Sequence, residues 1–463
     1  MGSDSLLTAM LKDFATTIVQ TLRQRGFQAY LVGGCVRDLL LGREPKDYDV
    51  ATDATPEQVM GIFPETYAVG AQFGVVLVPA PERDEAGVSA EASSKSYAVE
   101  VATFRSDIGY SDGRHPDEVR FSRDPREDVA RRDFTINGML LDPASGKNPG
   151  EVLDFVGGRK DLEAGIIRTI GDPEQRFGED KLRMLRAVRF AARFEYTIEP
   201  ATFAAIRKLA HQIRAVSRER VRDELTRMLT EGHARRAFLL LDESGLLKQV
   251  LPEISAMKRV EQPPEFHPEG DVFVHTLLLL ENLPNPCPLT LAWGALLHDV
   301  GKPPTFRVAP DRIRFDNHVE VGAKMAEEIC RRMRFSNDEA DQILALVDNH
   351  MRFGHVSHMK ESTLRRFLRM PAFDEHLALH RADCLASHRN LATYEFILQK
   401  RAEIPPETMH PSPLVTGDDL IAQGHAPGPK FREILSAVED AQLEGRLPSR
   451  DAALEFVRRE FPV

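Results

Sequence analysis

Residues 30–52, YLVGGCVRDLLLGREPKDYDVAT, constrain the fold of this chain more than any other stretch. The run opens apolar and breaks at Gly33-Gly34. A short helix is predicted over 36–41, then a turn around 42–46, then a second extended run carrying Asp47 and Asp49. Side chains at i and i+2 of a strand share a face, so Asp47 and Asp49 can hold one or two divalent cations between them. Gly33-Gly34 stands at a helix start, where free N–H groups and the missing Cβ let a phosphate approach closely. Alone, a glycine pair is usually a turn and a D-x-D is usually solvated. Together they form the arrangement needed to grip a metal-bound triphosphate, which points to nucleotidyl transfer.

At 463 residues the chain is expected to form about three domains. Four cysteines, none in a CxxC pair, argue against a disulfide framework and fit a reducing cytoplasm. No apolar run reaches the ~18 residues of a membrane span, and no basic-then-apolar leader opens the chain. The sixth residue is Leu, which rules out a myristoylation signal. The net charge of −11 speaks against a nucleic-acid partner at first sight. Its distribution does not: residues 176–236 hold 15 Lys/Arg against 8 Asp/Glu, a local excess of +7. Such a segment is either a phosphate footprint or a set of solvated helix faces.

Before residue 30, apolar positions from Leu6 to Leu22 recur at helical spacing and predict an amphipathic helix ending near Gly26. Thr55-Pro56-Glu57 predicts a helix start, and residues 67–69 and 74–78 predict strands. Residues 80–96 are small and polar and are expected to be a surface insertion between hairpin strands. The alternating run 97–104 carries Glu100, either a third carboxylate for the metal site or a structural acid. Residues 105–126 are charged and glycine-containing, and are expected to be a loop. In RRDFTINGM, Arg131, Arg132 and Asp133 can bind a phosphate and a ribose hydroxyl together, or form a surface ion-pair cluster.

Strand signals end near Asp142. Residues 154–162 (DFVGGRKDL) suggest a hinge, and RFGEDKLRMLRAVRFAARF a strong helix with Asp180 and Arg183 on one face. Arg186 and Arg189 extend that face. Cytosine and adenine each present an amino donor beside a ring-nitrogen acceptor. One carboxylate beside one guanidinium matches either base and leaves U and G mismatched. Without that role, the pair is an ordinary intrahelical ion pair on a solvated face.

Residues 267–390 hold a second constellation. His275 lies on an apolar helix, His298-Asp299 ends another apolar run, and His318, His350 and Asp383 follow on separate segments. Imidazole and carboxylate ligands suit Mn, Fe, Co, Ni or Zn, with open positions for a phosphate. After a proline-rich link, Gly428-Pro429-Lys430 precedes a predicted helix and can meet an RNA phosphate, or simply start the helix.

These motifs, in this order, resemble the class II tRNA nucleotidyltransferase / poly(A) polymerase family, of the bacterial kind with an HD domain. LVGGCVRDLLLG with KDYDVAT is similar to the family's catalytic motif, RRDFTINGM to its ribose motif, and EDKLRMLRAVRFAAR to its base-template helix. SRERVRDEL is similar to the motif that follows. The resemblance implies an α+β fold: a mixed-sheet nucleotidyltransferase head (1–145), a helical neck and body (146–265), an HD domain (266–400) and a helical tail (401–463). It implies Mg²⁺ on Asp47 and Asp49, and nucleotide contacts from Gly33, Gly34, Arg37, Arg132, Asp133, Asp180, Arg183 and Arg186. It also implies a transition metal such as Ni, Mn or Co on His275, His298, Asp299 and Asp383, with His318 and His350 as added phosphate or metal contacts. The expected activity is template-independent addition of C and A from CTP and ATP to tRNA 3′ ends in the cytoplasm, with the acceptor arm bound by the helical part. The HD site is expected to hydrolyse phosphomonoesters or 2′,3′-cyclic phosphates. A member adding only A, only CC or a poly(A) tail would carry the same motifs. A non-catalytic RNA-binding scaffold would not need both aspartates, the glycine turn and the Asp180/Arg183 pair together. No membrane partner is expected, and the sequence is silent on oligomeric state.

Overall fold

A computed structural model of the chain describes residues 3–68, 74–80, 98–110, 113, 116–146, 150–265, 267–405 and 411–463. The expected insertion at 80–96 falls outside them beyond residue 80. The chain divides into two compact units, Met1–Met228 with Arg236–Val250, and Leu229–Arg235 with Leu251–Val463.

The first unit is built on a six-stranded mixed sheet. Its strands are β1 Ala29–Val32, β2 Asp49–Thr52, β3 Val75–Pro79, β4 Ala98–Thr103, β7 Met139–Asp142 and β8 Glu151–Asp154. Their order is β3-β4-β2-β1-β7-β8. Only β2 and β4 run parallel; the other neighbours are antiparallel. The N-terminal helix Ser3–Gln24 packs on β1 through the buried stripe Leu11, Ala15, Ile18, Val19 and Leu22. Each large apolar side chain so buried is worth roughly 1.5–3 kcal/mol. Thr55 opens the helix Pro56–Ile62 with a capping box closed by Gln58.

Three local readings of the sequence change here. The charged 105–126 segment contains an antiparallel ribbon, β5 Arg105–Ile108 with β6 Glu118–Phe121. The strands are mostly charged or polar, so no apolar alternation betrays the ribbon. β8 adds an edge strand beyond Asp142, and four residues are too few to show a period. The single strong helix splits into Pro173–Glu179 and Arg183–Phe194. At the break Asp180 has an extended ψ of 108°, and its carboxylate accepts from the Leu182 N–H at 3.0 Å. Aspartate competes with helix by capping the chain that follows it, so Asp180 and Arg183 are not two positions of one helix.

In the second unit the helix Leu289–Leu297 is apolar all round and is buried at its centre. The helices Val272–Glu281, Asn337–Asn349 and Phe373–Ala386 pack against it, and Asn337–Asn349 packs in turn on His318–Arg332. A small ribbon pairs the exposed Phe306–Val308 with the half-buried Ile313–Phe315. Further cores gather around Phe353, Phe367 and Phe373, and around Leu420, Ile434 and Val457. The helix Pro429–Leu443 begins right after Gly428. Among the described residues, no helix is long and apolar enough to cross a membrane.

Candidate active sites

In the first unit, β-sheet register builds the site. Antiparallel pairing sets Val32 opposite Asp49, and the parallel β2–β4 pairing sets Glu100 beside Asp49. Asp47 lies two residues before, with Tyr48 between them turned into the core. Burial first, then the charges of Glu100 and Asp47, push Asp49 up to about 7, against the pull of Arg132. Burial and Asp47 also raise Glu100. Three crowded carboxylates form an all-oxygen set that suits a hard divalent cation.

Gly33 closes β1 with φ 81° and ψ −135°, a conformation that favours glycine. A Cβ there would stand 3.4 Å from Arg132 Nη1 and 3.6 Å from Asp49 Oδ2. The turn, a guanidinium and a carboxylate therefore face one small space. Arg132 is held by Asp128, whose side chain is fully buried, at 3.2 Å from Nε and 3.0 Å from Nη2.

Arg37 turns inward instead. It is buried, donates to Asp38 and to Asn137 Oδ1 at 2.9 and 2.7 Å, and stacks on Phe194 with its centre 4.7 Å from the ring. Its contacts are those of a bolt between the helix Gly34–Leu40 and Arg183–Phe194, and its Nη2 stands 3.5 Å from where a Cβ on Gly34 would be.

Asp133 and Arg186 meet directly. Asp133 Oδ2 accepts from Arg186 Nε at 2.9 Å and Nη2 at 2.7 Å. Its Oδ1 accepts from the Phe134 N–H and from Asn137 Nδ2 at 2.8 and 3.1 Å. Burial alone would raise this carboxyl; Arg186 overrides it and brings Asp133 to about 2.

Asp180 and Arg183 are adjacent but held by different partners. Asp180 Oδ2 accepts from Arg220 Nη2 at 2.8 Å. Arg183 Nη1 donates to Glu179 Oε2 at 2.8 Å, and its Nη2 to the Arg131 carbonyl at 3.0 Å. Arg220 and Glu179 were not singled out in the sequence. Arg220 stands 40 residues from Asp180, and only the fold joins them.

The second constellation converges on Asp299. His275 Nε2 lies 3.9 Å and His298 Nε2 3.1 Å from its Oδ2. His318 and His350 present Nε2 to Oδ1 at 3.9 and 3.8 Å. Asp383 Oδ1 is 3.1 Å from His275 Nε2. The opposite ring nitrogens are all occupied: Nδ1 of His298, His318 and His350 reaches the carbonyls of Ala295, Phe315 and Val347 at 2.8, 2.9 and 2.6 Å. Carbonyls only accept, so each Nδ1 carries the proton and each Nε2 points a lone pair at the cluster. All four Nε2 atoms are buried without a hydrogen-bond partner, as a cation site requires. Burial disfavours a charged His275, yet Asp383 and Glu269 push it up to about 9. His350 has no such carboxylate on its ring nitrogens, and burial lowers it to about 4. Lys302 donates to Gln262 at 2.7 Å and stands 2.7 Å from Asp299 Oδ2. Lys302, Gln262 and Glu269 were missed in the sequence, because no spacing rule marks them.

Gly301 permits this convergence. A Cβ on it would meet the His318 carbonyl oxygen at 2.1 Å and the Gly322 nitrogen at 2.5 Å. Both are backbone atoms of the helix His318–Arg332 or its neighbour turn, so they cannot swing aside. Gly301→Ala is expected to lower the stability of this unit by about 1–3 kcal/mol or more through overpacking, read as a drop in the denaturant midpoint. A midpoint equal to wild type would show that the helix shifts freely.

Comparison with known proteins agrees with this layout. Residues 29–168 match the poly A polymerase head domain, 195–258 the probable RNA and SrmB-binding site of polymerase A, and 272–387 the HD domain. The CCA-adding enzyme of Geobacillus stearothermophilus is 44% identical over 232 residues, 50% of this chain and 53% of the relative. That of Lactococcus lactis subsp. cremoris is 40% identical over 257 residues, 55% of this chain and 60% of the relative. The chain thus spans little more than half the length of these curated relatives. Among solved structures, the Bacillus stearothermophilus CCA-adding enzyme in complex with CTP superposes with a TM-score of 0.71 at 27% identity, covering 96% of this chain and 97% of that one. The Thermotoga maritima CCA-adding enzyme complexed with tRNA gives 0.57 at 19% identity, over 96% of this chain and 94% of that one, a likeness of fold. The chain therefore carries, in this order, segments that match a poly A polymerase head domain, a polymerase A RNA-binding site and an HD domain, and over nearly its whole length it is similar to a CCA-adding enzyme.

Proposed function

We propose that this chain adds C and A, from CTP and ATP, to the 3′ end of tRNA in the cytoplasm. The observation that carries the reading is Asp49, facing the Gly33 turn together with Arg132 and coupled to the charges of Glu100 beside it in the sheet and Asp47 two residues before. The CTP-bound relative, alike over nearly the whole chain, supports the choice of nucleotide. In this reading residues 1–145 act as the head, 146–265 as neck and body, and 401–463 as a tail that helps hold the tRNA acceptor arm.

The 3′-oxygen of the RNA bonds to the α-phosphorus in line, the bond from that phosphorus to the β-bridging oxygen breaks, and pyrophosphate leaves. Mg²⁺ held by Asp47 and Asp49 would neutralise triphosphate charge and acidify the attacking hydroxyl. The chain's own groups do the positioning. The missing Cβ of Gly33 admits the phosphates, and Arg132, braced by Asp128, adds a fixed positive charge. The Asp133–Arg186 pair lines the sugar side. Asp180, oriented by Arg220, offers an acceptor to the amino group of C or A, and Arg183 a donor to the ring nitrogen.

Feeding tRNAs that end before CCA, after C and after CC, with each nucleotide alone, tests the reading. C onto the first two and A onto the third is the expected pattern. Growth beyond one A, or a missing C step, would assign an A-adding, CC-adding or poly(A) role instead. Asp180→Ala is expected to cut C and A incorporation about 10- to 100-fold, the cost of one unmatched buried hydrogen bond. It should also narrow the preference over U and G in single-turnover assays.

A second activity has its own observation, the four buried and unpartnered Nε2 atoms around Asp299. We read this cluster as an HD phosphohydrolase centre for phosphomonoesters or 2′,3′-cyclic phosphates. His275, His298, Asp299 and Asp383 would hold a divalent transition metal, and His318 and His350 a second ion or the phosphate. A bound ion would supply Lewis-acid polarisation of the phosphate. Lys302, beside Asp299, would supply a fixed cation at its edge.

A further inference from the structure

We propose that Glu269 is a positioning residue of the Asp299-centred cation site, setting its ion affinity through His275. The proposal rests on reading that cluster as a cation site. Glu269 Oε1 accepts from two imidazoles at once, His275 Nδ1 at 2.6 Å and His267 Nδ1 at 2.9 Å. The two rings stand edge to face with centroids 4.8 Å apart. Glu269 is 6% exposed, and its other oxygen is buried without a partner.

These spacings assign Glu269 behind the ligands and not among them. Two ligands on a small tetrahedral ion, each about 2.0–2.1 Å from it, stand roughly 3.4 Å apart. Contacts of 2.6 and 2.9 Å are hydrogen bonds. The other three histidines are backed by neutral carbonyls three residues upstream. His275 has no such option, because its Nδ1 faces Glu269; the nearby Val272 carbonyl is taken by the Thr276 hydroxyl at 2.8 Å. Among the four, His275 alone is therefore backed by an ionised side chain, which raises the basicity of the Nε2 turned to the cluster. The loop that delivers Glu269 is anchored on both sides. His267 binds the carboxylate, and Asp271 caps the helix Val272–Glu281 while accepting from the Arg259 N–H at 2.7 Å.

The test uses the full chain stripped of metal and titrated with Mn²⁺ by calorimetry and with Co²⁺ by visible absorption. Glu269→Gln keeps the volume and a weaker acceptor, and is expected to bind about 10-fold more weakly; Glu269→Ala is expected to approach a 100-fold loss, the range for removing an outer partner of a metal-bound histidine. The Co²⁺ spectrum should change in both, with the circular dichroism and nucleotide incorporation unchanged. If Glu269→Ala does not fold, Glu269→Gln decides. Wild-type affinity and spectrum in the folded variant overturn the proposal. His298→Ala distinguishes the two ways to fail: if it loses the ion while Glu269→Ala does not, the positioning role alone is wrong. If His298→Ala also binds as wild type, the cation-site reading itself has failed.

Discussion

Asp49→Ala is expected to abolish nucleotide incorporation, by roughly 10³-fold or more, and to leave tRNA binding nearly intact. The size follows from the several kcal/mol of charge stabilisation that a metal-holding carboxylate supports, at about 1.4 kcal/mol per tenfold. Asp49 is the acid closest to the Gly33 turn and the one flanked by both Asp47 and Glu100. Its loss leaves Glu100 on β4 and Asp47 before β2 without the acid that couples to both. Single-turnover incorporation of labelled CTP and a filter-binding affinity for tRNA separate the two effects. Robust incorporation by the variant would sink the assignment of Asp47 and Asp49. Unfolding is not a rival explanation, and pH shows why. Asp49 is raised from the ordinary carboxylate value of 3.8 to about 7, so the ion-free folded chain holds a proton the unfolded chain has lost. Its stability therefore falls as pH rises through that window. Asp49→Asn should accordingly stabilise the metal-free protein at pH 8 and make no difference below pH 4, measured by denaturant midpoints.

Asp299→Ala is expected to remove ion binding from the second unit altogether, a loss well beyond the 10- to 100-fold of an outer-partner change. Phosphatase and cyclic phosphodiesterase activity should vanish with it. Asp299 is fully enclosed and is the one carboxylate facing His275, His298, His318, His350 and Lys302 together. Burial would raise its pKa, but His298 and Lys302 hold it well below the usual carboxylate range. Removing it leaves Lys302 and a charged His275 facing each other without their shared counter-ion, which also costs stability. Metal content by elemental analysis after dialysis against Mn²⁺ checks the prediction. Wild-type metal content in a folded Asp299→Ala protein would remove the cluster from consideration as a metal site.

Much of both sites was legible from local chemistry. Asp47 and Asp49 are two apart, and strand alternation predicts one face for them; in the fold Asp49 opens β2 and Asp47 lies just before it. His298 beside Asp299 at the end of an apolar run announced a buried polar pair that had to be satisfied. What was not legible shares a cause. Asp180 and Arg183 carried a helical spacing, yet aspartate capped the next helix and broke the first. The 105–108 and 118–121 strands had no apolar period to read because the side chains buried there, Arg105 and Asp107, are charged. Arg37, expected to contact the nucleotide, packs on Phe194 and bonds to Asn137, partners that no local pattern names.

What the sequence determined by itself was the order of parts and the acids and imidazoles expected at the two candidate sites. Period, turn chemistry and short motifs act over a few residues, and those are printed in the chain. Only the tertiary structure decided which group orients which: Arg220 on Asp180, Arg186 on Asp133, Glu269 on His275. Such pairings arise when burial removes water as the competing partner. A charged side chain then has to find its counterpart wherever packing has brought one, irrespective of distance along the chain.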